Sequence, residues 1–267
     1  MDCFDVFIQA GQSNAEGSGY GPVTEEYIPD ERIVYLNVLK TVSTKNERIH
    51  VEYDDAPFSV EVAGERDAVV NDVQRRMGDF SLAFAKSYIK DGCLEEGRKV
   101  LIIRAAVGGT GFQRRHWGLQ DDQYLKMLEM TDYALSLNPE NRLKGFLWHQ
   151  GEHDAFEGNT PENYYKQLTA LINSVKQRYQ CPDLPFICGG FAREWKSENE
   201  VICAPIQNVI ERVAKEQNGA FVVTDDLPTN NEKTGSGDGI HFCRESLHLL
   251  GQRYFKAYEG VCLHGKG

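Results

Sequence analysis

The chain has 267 residues, 41% hydrophobic and 26% charged, enough to bury one sizeable core and typical of a globular protein in water. Its 29 Lys and Arg against 40 Asp and Glu leave a net charge of −11, which disfavours a polyanionic partner such as nucleic acid. No run approaches the ~20 apolar residues of a membrane-spanning helix, so no membrane partner is expected.

Along the chain, Asp5–Gln9 is the first predicted strand and Ile33–Leu36 a further candidate. The charged stretch at about 41–76, with strand-like alternation at Phe58–Val62 and an Arg75-Arg76 end, reads as an insertion on the loop side of a sheet. Val100–Ile103, Gly145–His149, Pro185–Cys188 and Phe221–Thr224 follow as short, nearly continuous apolar runs. Such runs are expected where both faces of a sheet are covered. Between them lie helices. The clearest runs from about Pro161 to Tyr179, with Thr160 as cap and Tyr164, Leu168, Leu171, Ile172 and Val175 on one face. Ile206, Val209, Ile210 and Val213 repeat the spacing and stop at Gly219; Leu247, Leu250 and Tyr254 repeat it near the end. This alternation predicts one α/β domain over 1–267, a three-layer α/β/α sandwich with a mostly parallel central sheet of about five strands.

In open α/β sheets, ligands gather beyond the carboxyl ends of the strands, and each unusual polar cluster here falls at such an end. The first strand runs into Gly11-Gln12-Ser13-Asn14-Ala15. A serine at that turn is placed for nucleophilic attack, although a lone serine there can equally just cap a helix. The elbow G-x-S-x-G is absent because position 15 is alanine. The third strand ends in Trp148-His149-Gln150-Gly151-Glu152-His153-Asp154, and Gly237-Asp238-Gly239-Ile240-His241-Phe242 lies near the end of the chain. An aspartate three residues before a histidine can fold back on the imidazole and fix its tautomer. Ser13, His241 and Asp238 then make a nucleophile, a base and its orienter. Gln12, Arg115 and Trp117 are candidates for a substrate pocket, the last two because they closely follow Gly108-Gly109-Thr110. His149, Glu152 and His153 also match the zinc motif H-x-x-E-H, but that chemistry needs a continuous helix, and a strand-like lead-in with Gly151 inside argues for a loop.

The blocks GQSNA, AVGGT, WHQGEHD and DGIHF, in this order, resemble those of SGNH-type hydrolases over about residues 5–258. They most resemble the branch holding the sialate O-acetylesterase domain and carbohydrate esterase family 6, which includes acetylxylan esterases. The resemblance implies the SGNH, flavodoxin-like form of the sandwich and a serine esterase acting on O-acetylated carbohydrate through an acyl-serine intermediate. Ser13 would be its nucleophile, His241 its base and Asp238 the orienting acid. The oxyanion hole would combine the Ser13 and Gly108 N–H groups with the Gln150 side chain, where the wider superfamily commonly has asparagine. Glu152 is a second carboxylate that could share or replace the role of Asp238. The implied substrate is an acetylated saccharide, such as a xylo-oligosaccharide or acetylated sialic acid; no cofactor or metal is implied. The alternative is a carbohydrate-binding protein that keeps the fold without turnover. No signal peptide is visible, and seven scattered cysteines without a CxxC pair read as free thiols. Both lead to the expectation of a cytoplasmic protein, or a secreted one if a leader has been removed.

Overall fold

The computed structural model describes residues 2–22, 28–45, 48–55, 57–64 and 79–264. In chain order the elements are β1 (Cys3–Gly11), α1 (Ser13–Glu16), β2 (Ile33–Asn37), β3 (Lys40–Lys45), β4 (Arg48–Tyr53), β5 (Ser59–Val62), α2 (Ser81–Lys90), β6 (Arg98–Arg104) and α3 (Asp122–Ser136). They continue with β7 (Arg142–His149), α4 (Glu152–Phe156), α5 (Pro161–Arg178), β8 (Phe186–Gly189), α6 (Arg193–Glu198), α7 (Glu200–Glu216), β9 (Gly219–Val222), α8 (Asn230–Thr234) and α9 (Arg244–His264).

Alternation along the strands builds the layers, because successive side chains point to opposite faces. Val6, Ile8, Leu101, Ile103, Phe146 and Trp148 pack on one face with apolar residues of α3, α5 and α7. Phe7, Val100, Ile102, Leu147 and Ile187 pack on the other with α2 and α9. Each such side chain contributes on the order of 1.5–3 kcal/mol by leaving water. The sheet order is β5-β2-β6-β1-β7-β8-β9, parallel throughout except for the antiparallel β5. The three-layer α/β/α expectation is met, with seven strands in the sheet rather than about five.

β5 lies within the Phe58–Val62 stretch whose alternation predicted a strand; it extends the sheet at its edge, and all four of its residues are exposed. β9 starts two residues earlier than its apolar run, at Gly219, which pairs with Phe186. A Cβ on Gly219 would lie 2.1 Å from the Phe186 carbonyl oxygen, so the glycine read as a helix stop is also what lets the strand dock.

α5 begins as expected, with Pro161 at its first turn and the Thr160 hydroxyl accepting the Asn163 N–H at 3.2 Å. Within the 41–76 stretch, β3 and β4 form a separate hairpin whose residues stand over the carboxyl ends of the sheet. His116 Nε2 lies 3.3 Å from the Ile49 carbonyl, and the Tyr53 hydroxyl donates to Gln123 at 2.5 Å, tying that hairpin down. Arg75 and Arg76 lie outside the described residues.

Candidate active site

β1 ends at Gly11, whose φ of +129° is open to glycine and whose absent Cβ would meet the His149 carbonyl at 2.1 Å. The chain can therefore turn tightly against the end of β7 and set Ser13 at the first position of α1. His241 arrives from the loop before α9. Its Nε2 lies 2.8 Å from Ser13 Oγ and its Nδ1 2.9 Å from both Asp238 oxygens. A carboxylate only accepts, so Nδ1 carries the proton and Nε2 is left to accept from the serine hydroxyl. Burial raises the Asp238 carboxyl, but hydrogen bonds from His241 and Asn230 outweigh it and hold the pKa below its usual value. Asn230 Nδ2 donates to Asp238 Oδ2 at 2.9 Å and to the Ser18 carbonyl at 2.8 Å, linking the acid to the segment after α1.

Glu152 does not share the imidazole. Its Oε1 accepts from Asn14 Nδ2 at 3.0 Å, and the same Nδ2 reaches the Ile240 carbonyl at 3.2 Å. Asn14 Oδ1 accepts the Phe242 N–H at 3.1 Å, so Asn14 grips the backbone on both sides of His241. The alternative role of Glu152 as the acid on His241 is thus corrected by geometry. Burial raises the Glu152 carboxyl and lowers the neighbouring His149 to about 3. The two approach to 3.9 Å, within ion-pair reach, yet burial drives both toward neutral forms. His149 Nδ1 instead contacts the Tyr254 hydroxyl at 2.8 Å.

The H-x-x-E-H reading fails for the same structural reason. His149 closes a strand, His153 sits on α4 and turns toward Glu157, and a left-handed Gly151 (φ +141°) separates them. Among the described residues no group of three or more His, Cys, Asp and Glu could hold a metal ion.

A cavity of about 1080 Å³ opens at Ser13 and His241. Gln12, Glu16, Gly108 and Gly109 line it, the β3–β4 hairpin contributes Lys40, Thr41, Val42, Thr44 and Ile49, and Phe156 and Trp195 also border it. Lys40 is paired with Glu16 at 3.0 Å.

Several expected positions differ. Trp117 is fully buried, donates from Nε1 to Thr110 at 2.9 Å and packs edge-on against Trp148, so it is core. Arg115 points to solvent with its side chain 87% exposed and is not among the cavity residues. The Gly108 N–H, expected to face an oxyanion, donates to Glu16 Oε2 at 2.7 Å. Gln150 is also absent from the cavity wall. Its Nε2 donates at 2.6 Å to Asp154, a buried carboxylate that also takes the Phe112 and Gln113 N–H groups and Asn159 Nδ2. An ionised carboxylate stripped of water costs several kcal/mol unless donors surround it, and here they hold the loop after Thr110 against α4. Asn14, Asp154 and Glu16 lie inside or beside the quoted motifs without having been given roles. Asn230 had no sequence signal, since its importance comes only from the loop it meets.

A hydrogen-bonded serine, histidine and aspartate at the carboxyl ends of a parallel sheet is the arrangement found in serine hydrolases. The chain belongs to the carbohydrate esterase family of sialic acid-specific acetylesterases, whose model matches residues 3–260. It is therefore a carbohydrate acetylesterase by family. It is 24% identical over 225 residues to the probable 9-O-acetyl-N-acetylneuraminic acid deacetylase of Escherichia coli K12, covering 73% of this chain and 69% of that one. Its fold is shared with the crystal structure of NanS, at a TM-score of 0.73, 18% identity and 98% of both chains. A protein of Arabidopsis thaliana matches at a TM-score of 0.66 and 20% identity, over 96% of this chain and 98% of that one. XAC1771, a carbohydrate acetylesterase from Xanthomonas citri, matches at 0.66 and 19%, over 97% of this chain and 56% of that one. No helix among the described residues is long and apolar enough to cross a membrane.

Proposed function

We propose that the protein removes acetyl groups from carbohydrate through an acyl-serine intermediate, with a neutral acetylated oligosaccharide such as an acetylated xylo-oligosaccharide as substrate. The contact between His241 Nε2 and Ser13 Oγ at 2.8 Å carries this reading. Ser13 Oγ attacks the acetyl carbonyl carbon and its proton passes to His241 Nε2. As the tetrahedral intermediate collapses, the C–O bond to the sugar breaks and His241 returns the proton to the departing sugar oxygen. Water, deprotonated by the same nitrogen, then attacks the acetyl carbon; the bond to Ser13 Oγ breaks, His241 Nε2 returns the proton to that oxygen, and acetate leaves. Asp238 holds the imidazole in the required tautomer and stabilises its charged form.

The cavity supports an oligosaccharide over a small ester. Its volume of about 1080 Å³ far exceeds an acetyl group. Phe156, 71% exposed at the end of α4, and Trp195 offer apolar faces to sugar rings. Lys40 is engaged by Glu16, which favours a neutral substrate over one carrying a carboxylate. The name of the Escherichia coli relative favours a second reading, acetylated sialic acid.

Acetate release tests both. Acetylated xylo-oligosaccharides, 9-O-acetyl-N-acetylneuraminic acid and p-nitrophenyl acetate are compared, each with wild type and Ser13→Ala. Release from the xylo-oligosaccharides that Ser13→Ala abolishes is expected. Turnover confined to the acetylated sialic acid would replace the substrate, and turnover by Ser13→Ala would remove the mechanism.

A further inference from the structure

The expected oxyanion hole had one side-chain donor, the amide of Gln150, and the structure commits that amide elsewhere. We infer that the side-chain amide of Gln12 is the one that donates to the substrate carbonyl oxygen as it becomes an oxyanion. This inference rests on the proposed attack by Ser13.

Hydrogen-bond direction fixes which end of each amide is which. The backbone N–H of His153 can only donate, so the Gln12 atom it meets at 3.1 Å is Oε1. Asp154 already takes three other N–H donors, so the Gln150 atom 2.6 Å from it is Nε2; Gln150 Oε1 takes the Tyr164 hydroxyl at 3.0 Å. The two hydrogens of Gln150 Nε2 are thus committed, one to Asp154 and the other between Gln12 Oε1 at 3.3 Å and the Thr110 carbonyl at 3.2 Å. Gln12 Oε1 in turn is held by two donors, His153 N–H and Gln150 Nε2.

Gln12 Nε2 is what remains. Its residue is only 3% exposed, yet that nitrogen donates to no group among the described residues, and Gln12 lines the cavity directly before Ser13. The nitrogen is not one of the buried, unpartnered side-chain atoms, so it is open to the cavity, where a ligand oxygen can reach it. An amide immobilised through its oxygen, on a residue that lines the same cavity as Ser13, is a preorganised donor that needs no rearrangement when charge develops. Gln150 is then a positioning residue, acting through Gln12.

The test uses Gln12→Glu, which keeps an acceptor oxygen for His153 and Gln150 and replaces only the donor, with Gln12→Met as a neutral check. With p-nitrophenyl acetate, kcat should fall roughly 10²- to 10³-fold in both while KM moves only a few-fold, the loss typical of one oxyanion donor. Affinity for a boronic acid, whose serine adduct is a tetrahedral boronate with an oxygen where the oxyanion forms, should fall in step with kcat/KM, and the melting temperature of Gln12→Glu should stay near wild type. Either variant keeping kcat within about threefold of wild type overturns the inference. So does a loss confined to KM or to melting temperature. Ser13→Ala run alongside separates the two levels. An inert Ser13→Ala beside an active Gln12→Glu removes the Gln12 role alone, and an active Ser13→Ala removes the mechanism beneath it.

Discussion

Glu152 accepts from Asn14 Nδ2 at 3.0 Å, and through this bond a fully buried carboxyl supports the loop that carries His241 without touching the imidazole. Asn14 directly follows Ser13, so the residue that braces the base is one peptide bond from the proposed nucleophile. The serine and histidine, 228 positions apart, are registered through one asparagine.

The two carboxyl groups should therefore separate on mutation. Asp238→Asn should lower kcat by roughly 10⁴, because an amide in that position no longer enforces the productive tautomer. Glu152→Gln should remain within about tenfold of wild type, since the glutamine is close in shape to the carboxyl and its oxygen can still accept from Asn14. Steady-state hydrolysis of p-nitrophenyl acetate decides between them. A larger loss for Glu152→Gln would move the acid role away from Asp238.

Asn14→Ala strips one partner each from Glu152, the Ile240 carbonyl and the Phe242 N–H. Leaving such buried groups unpaired costs about 1–3 kcal/mol each at most. We expect a lower melting temperature together with a loss in kcat, because the loop holding His241 is released. Urea unfolding and the kinetics of the same preparation check the two effects.

Stability should fall with acid through His149. Burial lowers its folded pKa to about 3 against an ordinary 6.5, so between those values the unfolded chain binds a proton that the folded chain does not. The slope of stability with pH is then positive, at most about 1.4 kcal/mol per pH unit from this group. Glu152, raised by burial, has the opposite sign and takes stability away as pH climbs above the ordinary carboxylate range. Urea unfolding from pH 7 down to 4.5 should show a shallower acid loss for His149→Gln than for wild type. Equal slopes would assign the acid sensitivity elsewhere.

Substitution of Phe156 tests the proposed sugar contact apart from the ester chemistry. It is 71% exposed, so Phe156→Ala should cost little stability. Its expected effect is a several-fold rise in KM for acetylated xylo-oligosaccharide with p-nitrophenyl acetate hydrolysis unchanged. An equal effect on both substrates would place Phe156 outside the sugar contact.

The central strands were legible because burial on both faces writes a continuous apolar run: Asp5–Gln9 and Gly145–His149 lie within β1 and β7. The alternation at Phe58–Val62 announced β5 although all four of its residues are exposed, and β9 slipped because the docking of Gly219 against Phe186, not hydrophobicity, sets where it starts. The spacing of Asp238 and His241 pointed to their contact, since three residues are enough for a side chain to fold back on a ring. Trp117 read as a pocket residue because proximity in sequence says nothing about which way a ring turns.

By itself, the sequence determined the layered fold and the chemical types gathered at its strand ends, because apolar periodicity and short motifs are local properties of the chain. The tertiary structure alone decided which polar groups are already committed. Asp154 claims Gln150, Glu16 claims the Gly108 N–H and Asn14 takes Glu152, leaving Gln12 with a donor facing the cavity. A hydrogen bond depends on distances between segments far apart in sequence, and each donor hydrogen can serve only so many acceptors, so that allocation exists only once the chain is folded.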